Sequence, residues 1–187
     1  MTSEVFALSA GLLQLIAHIP LIITTIGGQT KPSTTSTGIW SLVSVCILFS
    51  SYFSGVRTNL PFIMAGTLAT TTVFLLSLKY GYRKWSILDP VCLILSLISL
   101  AIWFATKNAA YAVYLLVIID WLAVLPVFQK SWIDPKTENL LAWSINFVAC
   151  CLLMLSVRDW RLVVSLLALT QIVHSTIVNL LLRISPN

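Results

Sequence analysis

The sequence predicts an all-α membrane protein of seven transmembrane helices, built as two parallel three-helix repeats joined by a linker helix. Three observations predict it. Of 187 residues, 58% are hydrophobic and only 9% are charged, against roughly 25% charged in a soluble domain, so there are too few charges to cover a surface facing water. The charges cluster, and the apolar stretches between clusters approach the roughly 20 residues of a bilayer crossing. Landmarks of the first three stretches return in the last three.

The bilayer core forces backbone groups to pair within their own segment, which makes each long apolar run a helix. The runs are 6–26, 37–56, 60–80, 86–105, 109–129, 139–157 and 161–183. The first has Glu4 where a secretory signal would carry basic residues, and no small-residue cleavage site, so it is read as a mature helix. In the third, the threonine-rich stretch 67–72 is expected to pack tightly, its hydroxyls bonding back to the helix. Only Gly81-Tyr82-Arg83-Lys84 separates the third run from the fourth, which opens on Asp89 as N-cap with Pro90 at the first helical position. Asp134-Pro135 begins a turn in the same way between the fifth and sixth. Connections this short leave no room for a soluble domain. The chain is therefore read as one transmembrane domain over 1–187, with repeat one about 6–80, linker helix about 86–105 and repeat two about 109–183.

Cys46, Cys92, Cys150 and Cys151 all fall inside apolar runs without metal-ligand spacing, and are read as buried small hydrophobes. The net charge of +5 is explained by orientation. With seven crossings, Arg57, Lys107, Arg158 and Arg161 lie on the N-terminal side, and Lys31, Lys79, Arg83, Lys84, Lys130, Lys136 and Arg183 on the other. The richer side belongs in the cytoplasm, which places the N-terminus outside and the C-terminus inside. The compact loops lean towards a bacterial cell membrane.

The repeat is weak letter by letter and sharp at its landmarks. Pro32 and Pro135, Thr34 and Thr137, Trp40 and Trp143, and Ser41 and Ser144 share an offset of 103. In the preceding helices Pro20 and Pro126 correspond at an offset of 106, which sets Gln14 opposite Asp120. The offset of 103 carries on to pair Ala65 with Ala168, Thr67 with Thr170 and Thr71 with His174. Three crossings per unit would invert adjacent units, and the fourth helix restores the direction. Parallel repeats of this sort are a transporter architecture with the substrate site between halves near the midplane.

The three-one-three arrangement, the proline-then-tryptophan spacing and the segment Asn59-Leu60-Pro61-Phe62-Ile63-Met64-Ala65-Gly66-Thr67 resemble the PQ-loop and SWEET/SemiSWEET superfamily over nearly the whole chain. The resemblance implies a bundle whose proline-bearing first and fifth helices hinge between outward-open and inward-open states, at Pro20 and Pro126, with the N-terminus outside. The chain departs from the family pattern in two places. The family's Pro-Gln pair reads Pro20-Leu21 and Pro126-Val127, with Gln129 two residues further on, and the asparagines of SWEET sugar sites align with Gly66 and Leu169. Those departures weaken the inference of a sugar and leave the fold inference standing.

Asp120 lies near the middle of the fifth run. A carboxylate at that depth costs about 2.5–3.5 kcal/mol to insert, so it should face the bundle interior or water. It is either a proton carrier or a packing group bonded to Gln14 or a nearby hydroxyl. His174 shares a helical face with Gln171 and Val178. It either joins Asp120 in proton coupling or bonds between helices. His18 is expected to bond backbone freed by Pro20. Trp40 and Trp143, the repeated pair, serve as an aromatic wall for a flat or sugar-like solute or as interfacial anchors, the role assigned to Trp85, Trp132 and Trp160. Asn146, one turn past Trp143, is a ligand contact or a helix–helix hydrogen bond. Pro20 and Pro126 each kink their helix and free a carbonyl; they are hinges in an alternating-access reading and only shape in a static one.

No glycine-rich phosphate loop, hydrolase set or retinal-binding lysine is present in the sequence, and the basic residues are too scattered for nucleic acid. Neither an enzyme nor a cofactor or metal site is read. The expected partners are the lipid bilayer, a small solute and protons, with the chain acting as a monomer or homo-oligomer. Two functions stand: a small-solute transporter of PQ-loop/SWEET type working by alternating access, with proton coupling through Asp120 as an open question, and a non-transporting membrane subunit, receptor or assembly factor that retains the bundle.

Overall fold

The computed structural model describes residues 3–53, 60–82, 84, 86–106, 109–157 and 162–185. These form seven helices: α1 Ser3–Ile26, α2 Thr34–Phe53, α3 Leu60–Tyr80, α4 Leu88–Thr106, α5 Ala109–Ile133, α6 Leu140–Ser156 and α7 Leu162–Ile184, with a short 3-10 helix over Pro135–Thr137. There is no strand among the described residues. Among the same residues, four helical spans are long and apolar enough to cross a membrane, Ser3–Ile26, Ile63–Tyr80, Leu88–Thr106 and Tyr114–Ile133, while Thr34–Phe49, Leu140–Ser156 and Ala168–Ile184 are shorter apolar stretches. Arg57, Asn59, Arg83, Trp85, Lys107, Arg158, Trp160 and Arg161 lie outside the described residues, and nothing is described of the side chains of Pro61 and Phe62.

Each expected helix is present, and its ends move for local reasons. α2 starts three residues early because Ser33 caps it: the Ser33 hydroxyl accepts from the Ser36 N–H at 3.2 Å. α4 starts at Leu88, which corrects the reading of Asp89 as its N-cap. Ser86 takes that place, its hydroxyl accepting from Leu88 N at 3.2 Å, while Asp89 reaches back to accept from Ser86 N at 2.9 Å. Serine followed three residues on by an acid is the reciprocal capping box. α5 runs on to Ile133 because Lys130 is held inside the fold. Asp134-Pro135 does begin a turn, with the Thr137 N–H donating to Asp134 O at 3.0 Å.

α3 packs against both α1 and α2, and α7 against both α5 and α6. Across these groups α1 meets α6 and α2 meets α5, while α4 lies against α5 and α2. The interior is lined by small and hydroxyl residues such as Ala10, Ala17, Thr25, Ser36, Ala123 and Ser175, whereas Leu12, Ile23, Leu68, Leu75, Ile94 and Ile98 are exposed. Small residues let helix backbones approach closely. The threonine stretch of α3 behaves as expected: Thr67 donates to Ile63 O at 2.8 Å and to Ser44 O of α2 at 3.1 Å, and Thr71 pairs with Ser41 at 2.9 Å.

Three connections gather at one end, referred to below as the loop end. The Lys31 N–H donates to Thr137 O at 2.8 Å and the Tyr82 N–H to Pro32 O at 2.9 Å. Gly81 makes this possible, since a Cβ there would run into Ser77 O and Thr34 Oγ1. Neither proline ends its helix; α1 continues through Pro20 and α5 through Pro126.

Candidate functional site: a buried carboxylate between helices

The buried face of α5 is a stripe at helical spacing: Leu116, Ile119, Asp120, Ala123, Val124 and Val127. That stripe carries Asp120 inward, where it is 6% exposed. Its two oxygens take separate donors from two other helices. Trp40 Nε1 of α2 donates to Oδ1 at 2.9 Å, and Gln171 Nε2 of α7 donates to Oδ2 at 2.9 Å. His174, 2% exposed, brings Nδ1 to 3.3 Å from the same Oδ2. That approach misses hydrogen-bond geometry, and both ring nitrogens are without a hydrogen-bond partner. Trp121 packs against the imidazole with ring centres 4.4 Å apart, and Phe128 lies at 6.1 Å.

The other expected site residues divide. Trp40 and Trp143 meet edge to face, ring centres 6.5 Å apart. Asn146 does not reach Asp120 by a hydrogen bond; its Nδ2 donates to Ser175 Oγ at 2.8 Å, a bond between α6 and α7. Ser144 donates to Asn179 Oδ1 at 2.8 Å along the same seam. Gln14 is half-buried on α1, and Asp120 is bonded by Gln171 and Trp40 in its place. His18 donates to Gln14 O at 2.7 Å. It reaches backbone, as expected, although the carbonyl that Pro20 leaves unpaired is that of Ile16, four residues before the proline. Pro20 O accepts from Thr24 Oγ1 at 2.7 Å and from Asn139 Nδ2 at 3.3 Å.

Sequence reasoning missed a second polar centre. Lys130 is 3% exposed, and its Nζ lies 2.5 Å from Glu138 Oε1, with a further bond of 2.5 Å to Lys31 O. The other oxygen of Glu138 accepts from Trp143 Nε1 at 3.0 Å. The Tyr82 ring stands 5.5 Å from the ammonium. By sequence alone Lys130 reads as a loop charge, and the structure corrects this. The signal that could have found it is its place three residues after Val127, on the same stripe as Asp120.

Two clefts open at the loop end. One, of about 450 Å³, is lined by Lys31, Lys79, Tyr80, Tyr82, Lys84 and Asp134; the other, of about 210 Å³, by Pro126, Gln129, Lys130, Ser33, Tyr82 and Asp89 among others. Neither reaches Asp120, His174 or Asn146. Desolvation pushes the Tyr82 phenol above its ordinary range, and the charge of Asp134 adds to the effect. Chemically, the centre is a buried carboxyl group whose two oxygens each accept from a neutral donor, beside an imidazole without a hydrogen-bond partner. Comparison with protein-family models, with curated proteins and with solved structures finds no match for the chain.

Proposed function

We propose that this chain is a seven-span membrane protein of PQ-loop/SWEET type that moves a small solute by alternating access, and that the arrangement described here is its form closed at the loop end. The observation that carries the reading is the buried Asp120, bonded at once to α2 of the first half and α7 of the second. An intramembrane carboxylate facing a bundle interior marks substrate and ion pathways. The membrane reading is supported by the exposed leucines and isoleucines over an interior of small and hydroxyl residues. The parallel-repeat reading is supported by the packing, since exchanging α1 with α5, α2 with α6 and α3 with α7 maps α1–α3, α2–α3 and α1–α6 onto α5–α7, α6–α7 and α2–α5. The lysines gathered at the loop end agree with a cytoplasmic location for it.

A second reading, a non-transporting subunit, receptor or assembly factor, is favoured by a specific observation. Asp120 has both oxygens bonded, and neither cleft touches it.

The test is a thermal-shift panel of sugars, amino acids, vitamins and nucleosides on the protein in detergent, followed by uptake of any hit into proteoliposomes. A ligand at 100 times its dissociation constant stabilises by about 2.7 kcal/mol, which is readily seen. A solute that shifts the wild type, fails to shift Asp120→Asn and accumulates in vesicles establishes transport. No shift across the panel, with Asp120→Asn losing its fold, moves the second reading ahead.

A further inference from the structure

We infer that Asp120 and His174 together form a binding site for one proton, and that this proton completes the closed arrangement of the bundle's centre. The inference deepens the transport reading, and rests on it only for the consequence that the proton travels with the solute. The site itself rests on geometry.

Asp120 spends both oxygens on neutral donors, an indole N–H and an amide N–H. Two N–H donors on one carboxyl group suit the ionised form, which is acceptor-only. No cation among the described residues comes to it. Along α5 the nearest basic residue is Lys130, ten positions or about 15 Å away, and it is committed to Glu138. From α2 the titratable side chains are Cys46, packed against the cluster of Ile119 and Ala123, and Tyr52, exposed near the helix end. From α4 the buried one is Cys92, beside Asp89 near the helix start. From α6 it is Cys150, 5% exposed. The short 3-10 helix carries Lys136, exposed at the loop end. α7 carries Arg183, exposed in its last turn, and His174 itself, 3.3 Å from Oδ2, with both ring nitrogens buried and unpartnered.

Two deficits therefore sit side by side, a buried anion without a countercharge and a buried imidazole without a hydrogen-bond partner. Either is strongly unfavourable alone. One proton removes both. Added to the lone pair of the ring, it makes an imidazolium with two N–H donors, one facing the carboxylate. Added to the carboxylate, it gives a neutral acid able to donate to a ring nitrogen. No other bond forms or breaks, and the pair changes by one positive charge. Because the groups are this close, the proton belongs to the pair and the two titrate together. Both groups are buried, and Trp121 and Phe128 wall the ring, so proton exchange with water requires the packing around the pair to loosen. An opening and closing bundle would then take up and release one proton per cycle at this point.

The test uses the full chain in detergent micelles with ring-15N histidine and carboxyl-13C aspartate. There are only two histidines, and His174→Gln assigns the signals. Between about pH 5 and 8, the range in which imidazole switches, the His174 ring and the Asp120 carboxyl should move with one shared midpoint. Asp120→Asn should lower the His174 midpoint by at least about one pH unit, a tenfold loss of proton affinity. Gln171→Leu, which removes a donor and keeps the charge, should raise the shared midpoint, and decides the matter if Asp120→Asn does not fold. If neither signal moves, or if the two midpoints are unrelated and unmoved by both variants, the inference is overturned. Absence of solute uptake would leave the titration intact and retire only the transport reading. Uptake indifferent to pH with a silent pair would do the reverse.

Discussion

Trp40 and Trp143 touch edge to face, 6.5 Å between ring centres, yet their indole N–H groups serve different carboxylates: Trp40 donates to Asp120 and Trp143 to Glu138. The two positions correspond by sequence offset, and their roles differ. One tryptophan ties α2 to the central acid, while the other ties α6 to the ion pair at the loop end. The contact between their rings joins the two polar centres through an apolar cluster that also includes Val124, Val127 and Val178.

That difference predicts unequal consequences from equal substitutions. Trp40→Phe keeps the ring and removes one of two donors from a buried carboxylate, at a cost of about 1–3 kcal/mol. Trp143→Phe leaves Glu138 still paired with Lys130, so its loss should be nearer about 1 kcal/mol, the net worth of an ordinary hydrogen bond. Unfolding of both variants in mixed micelles measures the pair. Equal losses would mean that the indole N–H of Trp40 contributes nothing particular to Asp120.

Lys130 and Glu138 should behave as a unit. Their ion pair is buried on both sides, and Lys130 also donates to Lys31 O in the loop between α1 and α2. Removing one partner of a buried pair strands the other charge, at about 3–5 kcal/mol. Lys130→Met and Glu138→Gln should each be strongly destabilising, and the double variant should recover a large part of the loss, because no charge is then stranded. A double-mutant cycle reads the coupling directly. Additive losses would mean that the two side chains do not interact.

Much of this was legible in the sequence, for identifiable reasons. Charges punctuate apolar runs, so the helices could be counted, and a lone carboxylate among Leu116, Ile119 and Ala123 had to turn inward. Its partners were not legible: Trp40 and Gln171 are 80 and 51 residues away, and only packing brings them there. Gln14 shows how repeat logic can mislead. An offset that aligns Gln14 with Asp120 places them at equivalent positions in different halves, which gives no reason for them to touch. Lys130 was hidden by its chemistry. A lysine after a hydrophobic run reads as a loop charge, and only continuation of the α5 stripe past Val127 carries it inside.

Asn139 caps α6 and at the same time tethers it to α1. Its Oδ1 accepts from Ala142 N at 2.9 Å at the start of α6, and its Nδ2 donates to Thr24 Oγ1 at 3.0 Å and Pro20 O at 3.3 Å in α1. Loss of an N-cap costs about 1 kcal/mol, and the tether to α1 adds a comparable amount. Asn139→Ala should therefore cost about 2 kcal/mol, whereas Asn139→Asp keeps the cap, loses the donor and should cost about half of that. Thermal unfolding of the two variants beside the wild type checks the order. If Asp is as damaging as Ala, the cap contributes little and the tether to α1 carries the effect.

Orientation gives the last prediction. Lys31, Lys84 and Lys136 are exposed at the loop end, while Glu4 is exposed at the start of α1, 24 residues long. A helix of that length spans about 36 Å, enough to separate its ends by a hydrocarbon core of about 30 Å. With the native cysteines replaced, a single cysteine at position 136 should react with a membrane-impermeant maleimide only after cells are opened, and one at position 4 should react in intact cells. Cysteine in place of Leu68, whose side chain is exposed midway along α3, should resist the reagent in both cases because lipid covers it. Reversed labelling at 136 and 4 would invert the bundle and make the lysine-rich end external, against the usual distribution of basic residues. Ready labelling at 68 would mean that water, and not lipid, meets that face, and the membrane reading would fall with it.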